Sequence, residues 1–261
     1  PALRAADIGI AMGRSGTEVA REAASMVLTD DNFATIVGAV HQGRTIYDNI
    51  VKFLRFQLST NIGALLTMFV APLVGLPVPF NPIQILWVNI IMDGPPAMAL
   101  AFDPPRRGLM EEPPRVPSQS ILGSRRLLRL ASYGVTMAVG TLLLLHWALI
   151  HGLSETHART LAFTTFVLFQ FFNIFNARVG RRSAISRSAV RNVHLMAALG
   201  AVLVLQVLVV HWPPAQRIFH TTALSATDWA AAAVVASTVI LLDEGRKLMQ
   251  RLCRRQGICR R

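Results

Sequence analysis

Cysteine is almost absent: the 261 residues hold two, Cys253 and Cys259. Two thiols six residues apart in a basic tail make no disulfide framework, so reduced thiols are expected. Acidic residues are also scarce, 14 against 26 Lys and Arg, for a net charge of +12. Such a balance raises nucleic acid as a partner, but the arginines fall between apolar runs and no basic patch is interleaved with aromatics. That placement is a membrane-topology signal rather than a phosphate-binding face, and nucleic acid is set aside. No signal peptide, internal repeat or low-complexity linker is visible, and the opening Pro1-Ala2-Leu3 fits a start within a domain. What the chain has in quantity is apolar residue, 52% of the total, with a mean hydropathy of +0.45. It is too apolar for an ordinary soluble domain, and its runs are long enough to cross a bilayer.

Residues 1–45 differ from the rest. Asp7 to Met12 alternates like a strand, Gly13-Arg14-Ser15-Gly16 is a turn, and Thr17 caps a helical turn or two up to Ala24. Ser25 to Leu28 reads as a second strand. Asp30-Asp31-Asn32 offers caps for a helix starting near Phe33. A scrap of this size cannot bury its own core, so it is expected to be the end of a larger soluble domain. Residues 46–261 are expected to form an all-α integral membrane bundle of six transmembrane helices, at about 53–75, 82–102, 127–150, 160–176, 193–210 and 228–242.

Topology follows from counting. The loops after the second and fourth spans hold five Arg each and the tail from Glu244 holds seven Lys or Arg, whereas the opposite loops hold only Arg159 and Arg217. Positive loops face the cytoplasm, so both ends are expected there, with the chain multi-pass in a cytoplasm-bounding cell membrane and the lipid bilayer its first partner. Trp147, Trp212 and Trp229 fall near span ends, as an interfacial belt would; Trp87 lies deeper. Asp243 and Glu244 beside Arg246 and Lys247 read as a solvated cluster at the membrane edge. His146, His151, His211 and His220 have no ligand-type spacing and read as interfacial.

The second span carries the chemistry. Its centre reads Trp87-Val88-Asn89-Ile90-Ile91-Met92-Asp93-Gly94-Pro95-Pro96. A charge at that depth costs roughly 2.5–3.5 kcal/mol on insertion scales, so an intramembrane acid points to function. Pro95 and Pro96 have no N–H to donate, and the helix is expected to break just after Asp93. Irregular backbone at membrane depth survives only inside protein or along a polar cavity. A carboxylate, the Asn89 amide and freed carbonyls would form an oxygen-rich cradle of the kind hard cations take. The competing reading is a kinked helix with one buried, protonated Asp. Asn61 in the first span serves either as an ion ligand or as an interhelical hydrogen bond. Gly63 and Ala64 beside it permit close helix contact. Gln170, Asn173 and Asn176 lie three apart on one face of the fourth span.

These residues together resemble the C-terminal part of P-type ATPases, specifically calcium pumps of the P2 group. The stretch Ile85 to Pro96 is similar to that family's sixth transmembrane helix, and Asp103-Pro104-Pro105 through Pro113-Pro114-Arg115 to the loop after it. Ala6 to Gly13 and Val27 to Phe33 resemble the end of the haloacid-dehalogenase-like phosphorylation domain, which assigns 1–45 to its remnant and 46–261 to helices five to ten. The resemblance implies that Asn89 and Asp93 bind the ion, with Asn61 and Gln170 as nearby groups. Where two-site pumps carry a Glu, a Thr and a second Glu, this chain has Ala64, Met92 and Gln170, which implies a single site. The implied cargo is Ca2+, with Mn2+ as the other candidate.

The 261 residues contain no Asp-Lys-Thr-Gly-Thr motif, nucleotide domain or actuator domain. Phosphoryl transfer needs a nucleophile and a held Mg2+, so ATP and Mg2+ are expected to act only in an intact pump, together with its missing N-terminal half. By itself the chain is expected not to hydrolyse ATP. The alternative is a truncated, non-enzymatic membrane protein, inert or regulating a full-length pump. A secondary transporter is disfavoured, because no paired broken segments or half-to-half repeat occur.

Overall fold

The computed structural model describes residues 1–106, 108–114, 121–179 and 192–255. The basic loop at 180–191 and Cys259 therefore lie outside the described residues. The chain divides into two compact units, Pro1–Asp48 with Pro104–Arg115, and Asn49–Asp103 with Val116–Arg261.

The first unit opens with α1 (Ala2–Ala5), β1 (Ile10–Met12), α2 (Glu18–Ala23) and β2 (Met26–Leu28). The two strands pair in parallel with Ile10 opposite Met26, and α2 is the crossover that parallel pairing requires. Thr17 caps α2 by accepting from the Ala20 N–H, as the sequence predicts. The turn after β1 is held from the far side of the sheet: the Asp31 carboxylate accepts from the main-chain N–H of Arg14 at 2.8 Å and of Ser15 at 2.7 Å. Those donors, Arg14 first, hold the Asp31 pKa down at about 2. Asn32 accepts from the Ala34 N–H and so starts α3 (Ala34–Leu73). Arg106 reaches Asp48 at 2.5 Å and Glu112 at 2.6 Å, and Glu112 first, then Asp48, raise its pKa above the usual guanidinium value.

The second unit is the membrane bundle. Among the described residues, six helices are long and apolar enough to span a bilayer: α3; the stretch Pro82–Ala101; α6 (Ser124–Ile150); α7 (Glu155–Val179); α8 (Val193–His211); and α10 (Ala226–Arg255). They correspond in order to the six spans expected, and several run on by a turn or more. α3 ends in a Schellman motif: Gly75, at φ +76°, donates to Pro72 and Leu76 donates to Ala71, a conformation glycine adopts without penalty.

α7 is the hub. It packs against α6 and α10 and is buried over most of its length, with Phe163, Phe166 and Phe169 fully enclosed. Its threonines satisfy their own hydroxyls, Thr160 on the Thr156 carbonyl and Thr165 on that of Leu161. Close approach of α3 to α6 depends on Gly134: a Cβ there would sit 2.6 Å from Ile62 Cγ2 and 2.9 Å from the Gly63 nitrogen. A short helix absent from the sequence reading, α9 (Pro213–Phe219), follows α8. Its Phe219 carbonyl accepts from Asn81 and Gln84, and its ring meets Trp87 with centroids 5.0 Å apart.

Two polar clusters differ from expectation. Asp243 and Lys247 are buried, 1% and 3% exposed, where the sequence reading had a solvated edge. Asp243 accepts from the Tyr133 hydroxyl and pairs with Arg246 at 2.6 Å and Lys247 at 2.7 Å. Lys52 is part of a second buried cluster. Asp103 receives Lys52 Nζ at 2.6 Å and Arg178 Nε at 2.8 Å, with Asn192 at 3.2 Å. Asn49 donates to the Asp103 carbonyl at 2.9 Å. One carboxylate thus ties α3, α7 and the N-cap of α8 to the end of the second span.

Candidate functional site

The second span is in three pieces. α4 (Pro82–Trp87) starts with a capping box between Asn81 and Gln84 and carries Pro82 in its first turn. A π turn follows over Val88–Met92, closed by the Asp93 N–H donating to the Val88 carbonyl five residues back. α5 (Gly94–Ala101) then begins, with the two prolines in its first turn. The interruption therefore precedes Asp93, where the sequence reading put it after. The reason is local: prolines suit a first helical turn, whose N–H groups have no intrahelical partner. They still supply no N–H to the carbonyls one turn upstream.

Asp93 is 2% exposed. Its Oδ2 accepts from Gln57 Nε2 at 3.0 Å, and its Oδ1 is buried with no partner. Buried carboxylate oxygens are ordinarily satisfied, so this one lacks the donor or cation that such an oxygen usually has. Gln57 was not singled out from the sequence. The signal was available, since it is an amide one turn before Asn61 inside an apolar run.

The other three candidates stand as follows. Asn61 is half-buried, and no hydrogen bond holds its side chain among the described residues. Asn89 is exposed, unlike Asp93 four residues on. Gln170 is 2% exposed, with neither its amide oxygen nor its nitrogen partnered. Its helix neighbours are satisfied in part: Asn173 donates to Ser59 Oγ at 2.7 Å, and Asn176 to the Val239 carbonyl at 2.9 Å. No hydrogen bond joins Asn61, Asn89, Asp93 and Gln170 to one another among the described residues. Those residues also contain no cluster of three or more His, Cys, Asp or Glu able to hold a metal. The oxygen donors here are one carboxylate and amides, which suits a hard cation and not a thiolate-seeking one.

Known proteins fit this layout. The chain is 43% identical over 231 residues to the calcium-transporting ATPase of Bacillus subtilis, covering 88% of this chain and 26% of that protein. It is 41% identical over 247 residues to calcium-transporting ATPase 1 of Yarrowia lipolytica, covering 95% and 27%. With mouse calcium-transporting ATPase type 2C member 2 the identity is 42% over 257 residues, covering 97% and 27%. The chain thus spans about a quarter of the length of these relatives. Residues 77–249, which take in the broken span, Asp93 and Gln170, match the family described as cation transporting ATPase, C-terminus, and the chain belongs to that family.

Proposed function

We propose that this chain is the membrane and ion-binding portion of a P-type pump that moves Ca2+ at the expense of ATP. The observation that carries the reading is the unpartnered Oδ1 of Asp93, buried beside a π turn in a membrane-spanning helix. Asp93 is the charged ligand and Gln57 orients it. Asn61 and Gln170 supply amide oxygens, and Asn89 joins when further protein covers its face. Calcium takes about six to eight oxygens. These side chains fall short of that number, so carbonyls, water or protein beyond the 261 residues complete the set. Mn2+ takes a similar oxygen shell and is the alternative cargo. Residues 1–45 are the end of the phosphorylation domain, and residues 46–261 are helices five to ten. The chain by itself does not hydrolyse ATP. Both ends are cytoplasmic, which the clustering of arginines in alternate loops supports.

The test is a chimaera in which these residues replace the corresponding quarter of the Bacillus subtilis relative. Ca2+-stimulated phosphorylation from ATP is expected in the chimaera and lost with Asp93→Asn. Transport undiminished by that substitution removes Asp93 from the site, and Mn2+ competition against Ca2+ separates the two cargoes.

A further inference from the structure

Away from Asp93, the membrane unit has a cleft lined by Arg55, Arg126, Arg129 and Arg246, with Tyr133 and Asp243 at its wall. The residues come from α3, α6 and α10, and Asn173, Asn176 and Ala177 of α7 line its inner side. Arg126, Arg129 and Arg246 are half-buried there around one carboxylate. That carboxylate is already engaged by Tyr133, Arg246 and Lys247. Arg126 donates to the Ile121 carbonyl at 2.8 Å, and neither Arg126 nor Arg129 has a carboxylate within ion-pair distance among the described residues. Like charges held together at a membrane boundary repel unless an anion sits between them, and guanidinium forks suit phosphate oxygens.

Two further observations narrow the ligand. Asn176 donates to the Val239 carbonyl, which fixes its amide orientation, and its Oδ1 is buried without a partner. A ligand filling the cleft would therefore bring a hydroxyl donor as well as a phosphate. On α6 and α10, Leu127, Leu128 and Leu241 are 48%, 75% and 66% exposed, at positions outside the cleft lining. A basic cleft among helices that turn leucine outward suits a molecule with a charged head and an apolar tail. Basic pockets between transmembrane helices are known to take anionic headgroups. We infer that this cleft binds the phosphate of an anionic, hydroxyl-bearing phospholipid whose acyl chains lie in the surrounding bilayer. The cleft does not involve Asp93, so this inference stands or falls apart from the ion site.

The test uses the whole chain in neutral detergent, offered equal amounts of phosphatidylglycerol and phosphatidylcholine, with retained lipid read by native mass spectrometry. Preferential retention of phosphatidylglycerol is expected. Arg126→Gln and Arg129→Gln should each weaken it about fivefold, and both together about 25-fold, taking the usual contribution of one basic side chain near anionic lipid. Arg217→Gln, in the sparsely charged loop, should leave it unchanged. Equal retention of the two lipids by the unsubstituted chain overturns the inference without needing any variant to fold. So does an Arg126→Gln/Arg129→Gln chain that keeps the full preference. Inorganic phosphate in the millimolar range should leave the lipid in place; displacement by it would assign the cleft to soluble phosphate and refute the lipid.

Discussion

Replacing Asp103 with Asn is the sharpest test of how the membrane unit is held together. The carboxylate is 5% exposed and lies 2.6 Å from Lys52 Nζ and 2.8 Å from Arg178 Nε, side chains themselves 11% and 5% exposed. Asparagine preserves the shape and still offers Arg178 an acceptor, but it turns a donor or a neutral oxygen toward the ammonium. The two buried cations then lose the carboxylate they share. Breaking a buried pair by removing one partner costs about 3–5 kcal/mol, most of it the desolvated charge left behind. For a chain of this size each kcal/mol moves the unfolding midpoint by about 2–4 °C, so a drop of about 10 °C is expected. Thermal unfolding of the detergent-solubilised chain, followed by tryptophan fluorescence and by loss of the monodisperse peak on gel filtration, reads it directly. The triple replacement Lys52→Met, Asp103→Leu, Arg178→Met is the control, because exchanging a whole buried ion cluster for apolar groups is often near neutral. It should recover most of the loss. An Asp103→Asn chain that unfolds within about 2 °C of the original, a small fraction of the shift expected, would refute the claim that this carboxylate joins α3, α7 and α8.

Gln57→Leu removes the one hydrogen bond that the Asp93 carboxylate accepts among the described residues; bonds to charged groups contribute about 1.5–3 kcal/mol. The chimaeric pump carrying it should need about tenfold or more Ca2+ for half-maximal phosphorylation, and an unchanged requirement would make Gln57 a space-filler. Gly134→Val would drive a side chain into Ile62 and the Gly63 backbone. Overpacking of this kind costs about 1–3 kcal/mol, so a lowered unfolding midpoint is expected, and an unchanged one would mean the helices are further apart. Asp31 titrates at about 2 in the folded chain against an ordinary 3.8. Its folded pKa is the lower one, so its contribution is present above pH 3.8 and is lost as pH falls through about 2. An NMR titration of its carboxyl carbon checks this, and a midpoint near 3.8 would mean the Arg14 and Ser15 amides do not hold it.

The six spans were legible because nothing except lipid explains apolar runs of that length separated by arginine-rich loops. The two short strands were legible from the alternation over Asp7 to Met12 and the run Ser25 to Leu28; their parallel pairing was not. Burial of charge was not. Lys52, Asp103, Arg178, Asp243 and Lys247 all sit at span ends, where sequence supports snorkelling to water as readily as pairing in the interior. Only the meeting of helices distant in sequence decides between the two, as Lys52 and Arg178 do on Asp103. Gln57 was missed for a related reason: its partner is 36 residues away across a helix crossing. Asn89 was read beside Asp93 on the spacing of a straight helix, and the helix here is not straight.

The exposure of Asn89 beside a buried Asp93 has a geometric setting that bears on function. In an unbroken α-helix, residues four apart lie nearly above one another, within about 40° at 3.6 residues per turn. A π turn takes one extra residue, which sets everything after it back by roughly 100° relative to what precedes it. Asn89 lies inside the turn and Asp93 closes it. The acid is buried and accepts from Gln57, while Asn89 is exposed. The Gly-Pro-Pro sequence works with this arrangement, since it lets a new helix start at Gly94 with no N–H groups of positions 95 and 96 to be satisfied in lipid. Relaxing the π turn to α would rotate Asp93 by roughly 100° about the helix axis relative to what precedes the turn, with little change in hydrogen-bond number. On the function proposed above, Asp93 would then have two positions, and exchange between them is the kind of small, discrete motion that capture and release of a cation requires.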